Sequence, residues 1–356
     1  MKEKIKISLE QYLNGKDILI EIRKPKKLLK KAKLIKDDFL NYNFTIVSKP
    51  DLEVNYRHVG KLNIDEKYQE YISKFVDAIL SNFKEKDLTI FYNNINSLKV
   101  ESYEKSNVEN KKDSSKVSAS YAIGINKCYI YSSDFKFSLP HELFHMASSL
   151  FDAKKMIVYS GFFQYNGVMI GDGLNEGYTE LLAQRYITKE DENLSYSYFY
   201  LTLFASHLEK IVGKEKMESL YLNADLRGLV EELKQYTNED NIFKFIACLD
   251  YFYRYSEDLR KSKKDKAKIL YCLKFIYKFL LACGIQKSVK ESLENEIDPN
   301  MLNQKINEFI PSFKEVYLYK EQYLVSNTFE DDAIVNKILS KYGIRSEFCQ
   351  TEEKRI

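Results

Sequence analysis

The stretch His141-Glu142-Leu143-Phe144-His145 (HELFH) decides how the rest of this sequence is interpreted. Two histidines four residues apart on a helix lie about 40° from each other around its axis, so both imidazoles can reach one metal ion. Glu142 lies about 100° further around the helix than His141, where its carboxylate can contact a water molecule beside the ion. Uncharged residues flank the motif, as expected of a helix buried at the floor of a cleft. The motif therefore predicts a catalytic zinc site with Glu142 as general base.

A catalytic zinc site needs a third protein ligand and keeps the fourth position open. No further histidine follows a nearby glycine, which removes the metzincin pattern. The segment Asn175-Glu176-Gly177-Tyr178-Thr179-Glu180 (NEGYTE) places two carboxylates four residues apart on one helix face. One of them can bind the ion while the other accepts the outer N–H of a ligand histidine. Gly177 weakens the helix between them, which indicates that something packs closely there. The acidic candidates for the third ligand are Asp152, Asp172, Glu176 and Glu180.

Together the two motifs resemble those of the gluzincin metallopeptidases, the class that includes thermolysin-like enzymes. HELFH matches their HExxH, and Asn175-Glu176 followed by an acidic residue four positions on resembles their NExxx[DE] helix. The match covers residues 138 to 187, with thirty residues between His145 and Glu176, more than in thermolysin-like proteins. No aminopeptidase GxMxN segment precedes the site, so the subfamily stays open. The resemblance implies one Zn²⁺ per chain, bound by His141, His145 and Glu176. It also implies that Glu142 is the general base and that Glu180 orients the imidazole of His141.

The implied reaction is hydrolysis of a peptide bond by water that the metal activates and Glu142 deprotonates. Glu142 then passes the proton to the leaving amine. A peptide or protein is the expected substrate, and it could lie as an added strand along a hairpin at residues 118–132. A further donor to the oxyanion is usual in this class, although each candidate can equally be a structural residue. The candidates are His207, Tyr159, Tyr165 and Tyr178.

Three other functions fit the same motifs. The first is a zinc amidohydrolase or esterase that acts on a non-peptide bond with the same metal and base. The second is a regulatory or binding protein that keeps a structural zinc, but such sites normally have four protein ligands and only three are evident. The third is a toxin or effector whose peptidase acts inside another cell.

Composition sets limits on partners and compartment. A net charge of +3 over 356 residues argues against a dedicated nucleic-acid binder. Five scattered cysteines without CxxC spacing predict reduced, mostly buried thiols. The start lacks the apolar run of a secretory signal, so the expected compartment is the cytoplasm, with leaderless export left open. The most apolar stretch, Ile269 to Ile285, contains two lysines and is short for a membrane span, so we expect a buried helix. Nothing predicts the oligomeric state.

The expected fold is α+β, with a zincin-like catalytic domain that has a small mixed sheet and an active-site helix, followed by a mostly α-helical C-terminal domain. The expected boundaries are 1–60, an N-terminal α/β segment; 61–193, the catalytic core; and 194–356, the helical domain. Apolar periodicity and turn residues give the local expectations. Helices are expected at 24–36, at 65–84, from Leu139 with Ser138 as cap, and at 174–187 with Asp172 as cap. A strand is expected at Leu88 to Tyr92, a hairpin at 118–132 and a loop at 101–116. The alternating run at 156–164 indicates either a hairpin or a glycine-rich loop that crosses the site.

Overall fold

The computed structural model describes residues 32–53, 57–102, 118–131, 135–188, 198–256, 262–295, 299–308, 315–318, 321–324 and 328–344. The expected helix at 24–36 and the expected loop at 101–116 lie mostly outside these residues. The chain forms two compact units. The mixed unit consists of Phe44–Ser206 and Gly213–Glu231, and the helical unit consists of Met1–Asn43, His207–Val212 and Glu232–Ile356. The domain boundaries expected from the sequence stay predictions.

The elements up to residue 186 alternate helices with short strands. They are α1 Glu66–Asn82, α2 Thr89–Ile95, β1 Lys99–Ser102, β2 Ala119–Ala122, β3 Lys127–Ile130, α3 Phe135–Ala147, β4 Ser149–Asp152, β5 Ile157–Ser160, β6 Phe163–Tyr165, β7 Met169–Ile170 and α4 Asp172–Tyr186, with 3₁₀ turns at Asp37–Phe39, Glu85–Asp87 and Ile123–Ile125.

From Tyr198 onward the described residues are helical apart from one short hairpin. The elements are α5 Phe199–Val212, α6 Lys214–Leu222, α7 Leu226–Leu233, α8 Glu239–Ser256, α9 Lys263–Glu294, α10 Pro299–Glu308, β8 Glu315–Leu318, β9 Glu321–Leu324 and α11 Thr328–Lys341. The fold is therefore mixed α+β, rich in helix, with small sheets.

A three-stranded sheet lies beside helix α3. Its order is β1-β3-β2, with β1 parallel and β2 antiparallel to β3, so β2 is at an edge of the described strands. The hairpin expected at 118–132 is confirmed, and Asn126 makes its turn possible with a left-handed φ of 49°. Asparagine tolerates that conformation better than most side chains. The sheet thus presents strand β2 to the helix that carries HELFH.

A four-stranded antiparallel meander, β4-β5-β6-β7, connects α3 to α4. The expected hairpin at 156–164 is its β5-β6 pair, with Val158 opposite Tyr165 and Ser160 opposite Phe163. Gly161 makes the tight turn with a φ of +54°, and a Cβ there would overlap the ring of Tyr221. Only glycine fits this turn, because both its backbone and its surroundings exclude a side chain.

The sequence misplaced one element of the mixed unit. Leu88 to Tyr92 was expected to be a buried strand, but the structure shows helix α2 from Thr89 to Ile95. The segment is buried as expected, and Ile90, Phe91 and Tyr92 all contribute to the core. A short apolar run has the same appearance in a buried helix and a buried strand, so periodicity could not separate them.

The starts of both motif helices also differ from expectation. Helix α3 begins at Phe135 rather than Leu139, so Pro140 lies inside it and Ser138 is a helical residue, not the cap. Helix α4 begins at Asp172, and Gly171 takes the cap position with a left-handed φ of 81°. A Cβ on Gly171 would overlap the backbone of Phe162, so packing against the meander fixes glycine at this cap. Helix α1, by contrast, agrees with the helix expected at 65–84.

The helical unit is built around α9. A capping box, in which Ser262 and Asp265 bond each other's backbone N–H groups, starts this helix. Helix α9 contains the apolar stretch 269–285 and is the one described helix long and apolar enough to cross a membrane. Its most apolar window is 67% buried inside the protein, as in a core helix. Four of the cysteines are buried free thiols, as expected, and Cys349 lies outside the described residues.

Candidate metal centre

Helices α3 and α4 lie against each other in the mixed unit and carry the two sequence motifs. Leu139, Leu143 and Phe144 of α3 are fully buried, and Phe144 packs edge-on against Phe75 of α1 at 5.0 Å. Helix α4 is buried on most of its surface, and its buried residues include the polar Asn175 and Thr179. The polar side chains of the two helices are therefore held between well-packed cores.

His141, His145 and Glu176 bring three donor groups together at the centre of this interface. The Nε2 atoms of the two histidines are 3.0 Å apart. Glu176 places one carboxylate oxygen 3.2 Å from Nε2 of His141 and the other 3.4 Å from Nε2 of His145. These side chains are 7%, 12% and 14% exposed, so the cluster is largely shielded from water but still reachable.

The outer nitrogens of both histidines have polar partners on α4. Glu180 lies 2.9 Å from Nδ1 of His141, and its other oxygen accepts a hydrogen bond from Gln184 at 2.8 Å. The amide of Asn175 lies 3.3 Å from Nδ1 of His145. The same amide accepts the backbone N–H of Phe162, which ties it to the turn between β5 and β6. A carboxylate that accepts the outer N–H, as Glu180 can at His141, orients the imidazole so that Nε2 faces the site. Asn175 presents its amide nitrogen, a donor, to His145 and does not provide such an acceptor.

The spacing of the three donors fits a tetrahedral metal ion. With bonds of about 2.0–2.1 Å, two ligands of such an ion lie roughly 3.3 Å apart. The two Nε2 atoms are 3.0 Å apart, and each has its own Glu176 oxygen at 3.2 or 3.4 Å, which is close to that value. One donor atom from each of the three residues lies within 4.8 Å of the other two. Two imidazole nitrogens and one carboxylate also form a donor set that suits zinc. Among the described residues, this is the one group of acidic, histidine or cysteine side chains close enough to hold an ion.

Glu142 follows His141 on α3 and is not part of the donor group. A hydrogen bond from the backbone N–H of Tyr121 in strand β2 stabilises the charged form of its carboxylate. Burial raises the pKa of the Glu142 carboxyl, while His141 and His145 oppose that rise. The Glu142 carboxylate thus interacts with the sheet and with both imidazoles.

The histidines and carboxylates of this cluster shift one another's pKa values. Burial alone lowers the pKa of His141, but hydrogen bonds to Glu176 and Glu180 outweigh it and hold the pKa well above its ordinary value. Burial would raise the pKa of Glu176, yet the charges and hydrogen bonds of His145 and His141 hold it well below its usual range. The arrangement therefore favours an ionised Glu176 and attracts positive charge.

Two tyrosines complete the surroundings and were not predicted from the sequence. The ring of Tyr198 stacks on the imidazole of His141, with centroids 5.3 Å apart and planes 18° from parallel. Tyr221 of α6 is fully buried, and its hydroxyl lies 2.6 Å from that of Thr179 on α4. Neither residue is close to the motifs in the sequence, so no local pattern indicates them.

Other candidates from the sequence take different positions. Asp152 accepts backbone N–H groups from the turn that follows it, and neither it nor Asp172 belongs to the donor group. Of the four proposed oxyanion donors, Tyr178 is fully buried, Tyr159 donates to the carbonyl of Ser48, and Tyr165 is 42% exposed on β6. The fourth, His207, is buried in α5 and belongs to the helical unit.

Comparison with known proteins finds no family model that matches the chain and no match among curated proteins or solved structures. A functional proposal therefore depends on the chemistry and geometry of the centre alone.

Proposed function

We propose that this protein is a zinc-dependent metallohydrolase that cleaves peptide bonds. The observation that carries the proposal is the convergence of His141, His145 and Glu176 at spacings of 3.0 to 3.4 Å, with Glu142 beside them. Three protein donors leave a coordination position for water or substrate, whereas structural zinc sites are normally closed by four. The described residues offer no fourth donor in this group.

In this proposal each residue has a separate task. His141, His145 and Glu176 hold the ion, and Glu180 accepts the outer N–H of His141 and keeps that imidazole turned toward it. The bound ion supplies Lewis-acid chemistry, lowering the pKa of water and polarising a carbonyl. Glu142, oriented by Tyr121, accepts the proton of the attacking water and delivers it to the leaving amine.

The position of β2 supports a peptide as substrate. This strand lies at an edge of the described sheet, contacts α3, and provides the N–H that holds Glu142. An extended chain can pair with an exposed strand edge through backbone hydrogen bonds. A peptide paired with β2 would lie next to the proposed base, which favours peptide over ester or small-amide substrates.

The first test measures metal content after purification by elemental analysis. We expect about one zinc per chain in the wild type, a large loss in His141→Ala and His145→Ala, and retention in Glu142→Gln, because only the histidine changes remove a ligand. Full zinc content in the double histidine variant would disprove the site assignment.

The second test separates a peptidase from its alternatives. Proteome-wide detection of new peptide termini, comparing the wild type with Glu142→Gln, should show cleavage products that depend on Glu142. A zinc-loaded protein that produces no such termini would contradict the peptidase proposal. In that case, hydrolysis of small amides or esters would be the next activity to assay with the same pair of proteins.

A further inference from the structure

Tyr198 is the aromatic residue stacked on the ligand candidate His141. The two rings are nearly parallel, 18° apart, with centroids separated by 5.3 Å. Glu180 holds the same imidazole at Nδ1 from within the ring plane, at 2.9 Å. In-plane and out-of-plane contacts together restrict rotation of the ring, and they leave Nε2 directed at Glu176 and His145.

The position of Tyr198 depends on a glycine in α4. Tyr198 immediately precedes α5, whose first turn contains Leu201. A Cβ on Gly177 would lie 2.5 Å from the carbonyl carbon and oxygen of Leu201. Backbone atoms cannot move aside as a flexible side chain can, so only glycine at 177 allows α5 to start this close to α4. Gly177 lies on α4 between the ligand candidate Glu176 and Glu180, and thus governs how near Tyr198 comes to His141.

We propose that Tyr198 is a positioning residue for His141, and that Gly177 fixes it there by admitting the start of α5 against α4. The inference rests on the proposed metal site. A stacked ring shields one face of the imidazole from water and reduces the freedom that the imidazole loses when it binds an ion. Tyr198 therefore increases metal affinity without binding the ion itself.

The primary measurement is the zinc dissociation constant, obtained by titration against a competing chelator. Tyr198→Ala should weaken zinc binding about 3- to 10-fold, the factor expected for loss of one aromatic pair. Tyr198→Phe keeps the ring and should restore affinity close to that of the wild type. Tyr165→Ala, which removes a partly exposed tyrosine from β6, is the matched control and should leave the affinity unchanged.

A double-mutant cycle tests the role of Gly177. Gly177→Ala must displace the first turn of α5 and should weaken zinc binding by a factor similar to that of Tyr198→Ala. The double variant should be little worse than either single variant, because both changes remove the same contact. Gly124→Ala is the control for added bulk, since nothing lies within 4 Å of the Cβ it introduces. Additive effects would refute the link between Gly177 and Tyr198.

A fluorescence measurement keeps the inference testable if the alanine variants are unstable. The chain contains no tryptophan, so Tyr198→Trp introduces a single indole over His141. Its emission should be quenched when Co²⁺ binds, whereas the emission of Tyr165→Trp should not change. This inference would be wrong if all Tyr198 variants bound zinc with equal affinity. It would also be wrong if the emission of the indole at 198 did not change while Co²⁺ demonstrably bound to the protein. Either result would leave the proposed function standing. Absence of metal binding by the wild type would overturn both.

Discussion

The assignment of Glu176 to the metal and Glu180 to the outer nitrogen of His141 can be tested by comparing Glu176→Gln with Glu180→Gln. Glu180 makes one charge-assisted contact with the imidazole, at 2.9 Å. Glutamine keeps the shape and can still accept the N–H, but it loses the charge, which roughly halves the strength of such a bond. Loss of an orienting partner typically weakens metal binding about 10- to 100-fold, or about 1.4–2.7 kcal/mol.

Glu176→Gln should have a larger effect on zinc affinity. The two carboxylate oxygens of Glu176 lie 3.2 and 3.4 Å from the Nε2 atoms of His141 and His145. Without the charge of Glu176, the two neutral imidazole nitrogens would be the remaining strong ligands. Since a catalytic zinc site uses three protein ligands, we expect binding to fall well below that of Glu180→Gln.

The assay is a zinc titration against a competing chelator, with circular dichroism to verify that each variant is folded. Glu215→Gln is a control for loss of a carboxylate, because Glu215 is 81% exposed and pairs only with the surface Lys84 among the ion pairs described. Affinities in the reverse order would show that Glu180 is the ligand and that the register of α4 had been assigned wrongly by one turn. Equal, unchanged affinities would show that the ion binds elsewhere.

Two further predictions concern the packing that supports the centre. Gly161→Ala should lower the free energy of unfolding, measured in denaturant, by roughly 2–5 kcal/mol, because it adds left-handed backbone strain and overlap with Tyr221 and Asn175. Gly167→Ala is the control, since open space surrounds its Cβ, and it should lower the free energy by only about 1–2 kcal/mol. Equal losses in the two variants would contradict the predicted overlap. Tyr221→Phe should lower the free energy of unfolding by about 1–3 kcal/mol, because the buried Thr179 hydroxyl loses its partner at 2.6 Å. Adding Thr179→Val should recover part of that loss. Strictly additive losses would show that the two hydroxyls are not coupled.

Local patterns in the sequence predicted the elements whose side chains repeat regularly. The period of apolar residues predicted α1, and the turn residues Gly124-Ile125-Asn126 predicted the β2-β3 hairpin. The pattern failed at Leu88 to Tyr92, where a short apolar run is compatible with either a strand or a helix. It also misplaced the start of α4, because the left-handed cap at Gly171 depends on contact with Phe162, which is a tertiary feature.

The candidate site shows the same division between local and distant information. Helix geometry within HELFH and within NEGYTE predicted which side chains of each motif share a face, but spacing alone left Glu176 and Glu180 open as the third ligand. The structure groups Glu176, the residue that the resemblance implied, with His141 and His145. The weakness of Gly177 as a helix former correctly indicated close packing, and Leu201 provides it. No spacing rule could identify Tyr198 or Tyr221, because their positions are set by how α5 and α6 pack on α4.

The charge of the centre is difficult to explain by stability alone. Three carboxyl groups, Glu142, Glu176 and Glu180, lie around two imidazoles in a largely buried interface. Burying an ion costs several kcal/mol even after the surroundings relax, and well-packed apolar residues in place of a buried ion cluster are often neutral or stabilising. Without a metal, the raised pKa of His141 keeps a proton on that imidazole, which offsets part of the negative charge of the carboxylates. A divalent cation would displace that proton, leave both histidines neutral and reduce the excess of three ionised carboxylates to one negative charge. The proposed metal binding would therefore account for polar residues that a purely structural role on a helix as buried as α4 would not favour.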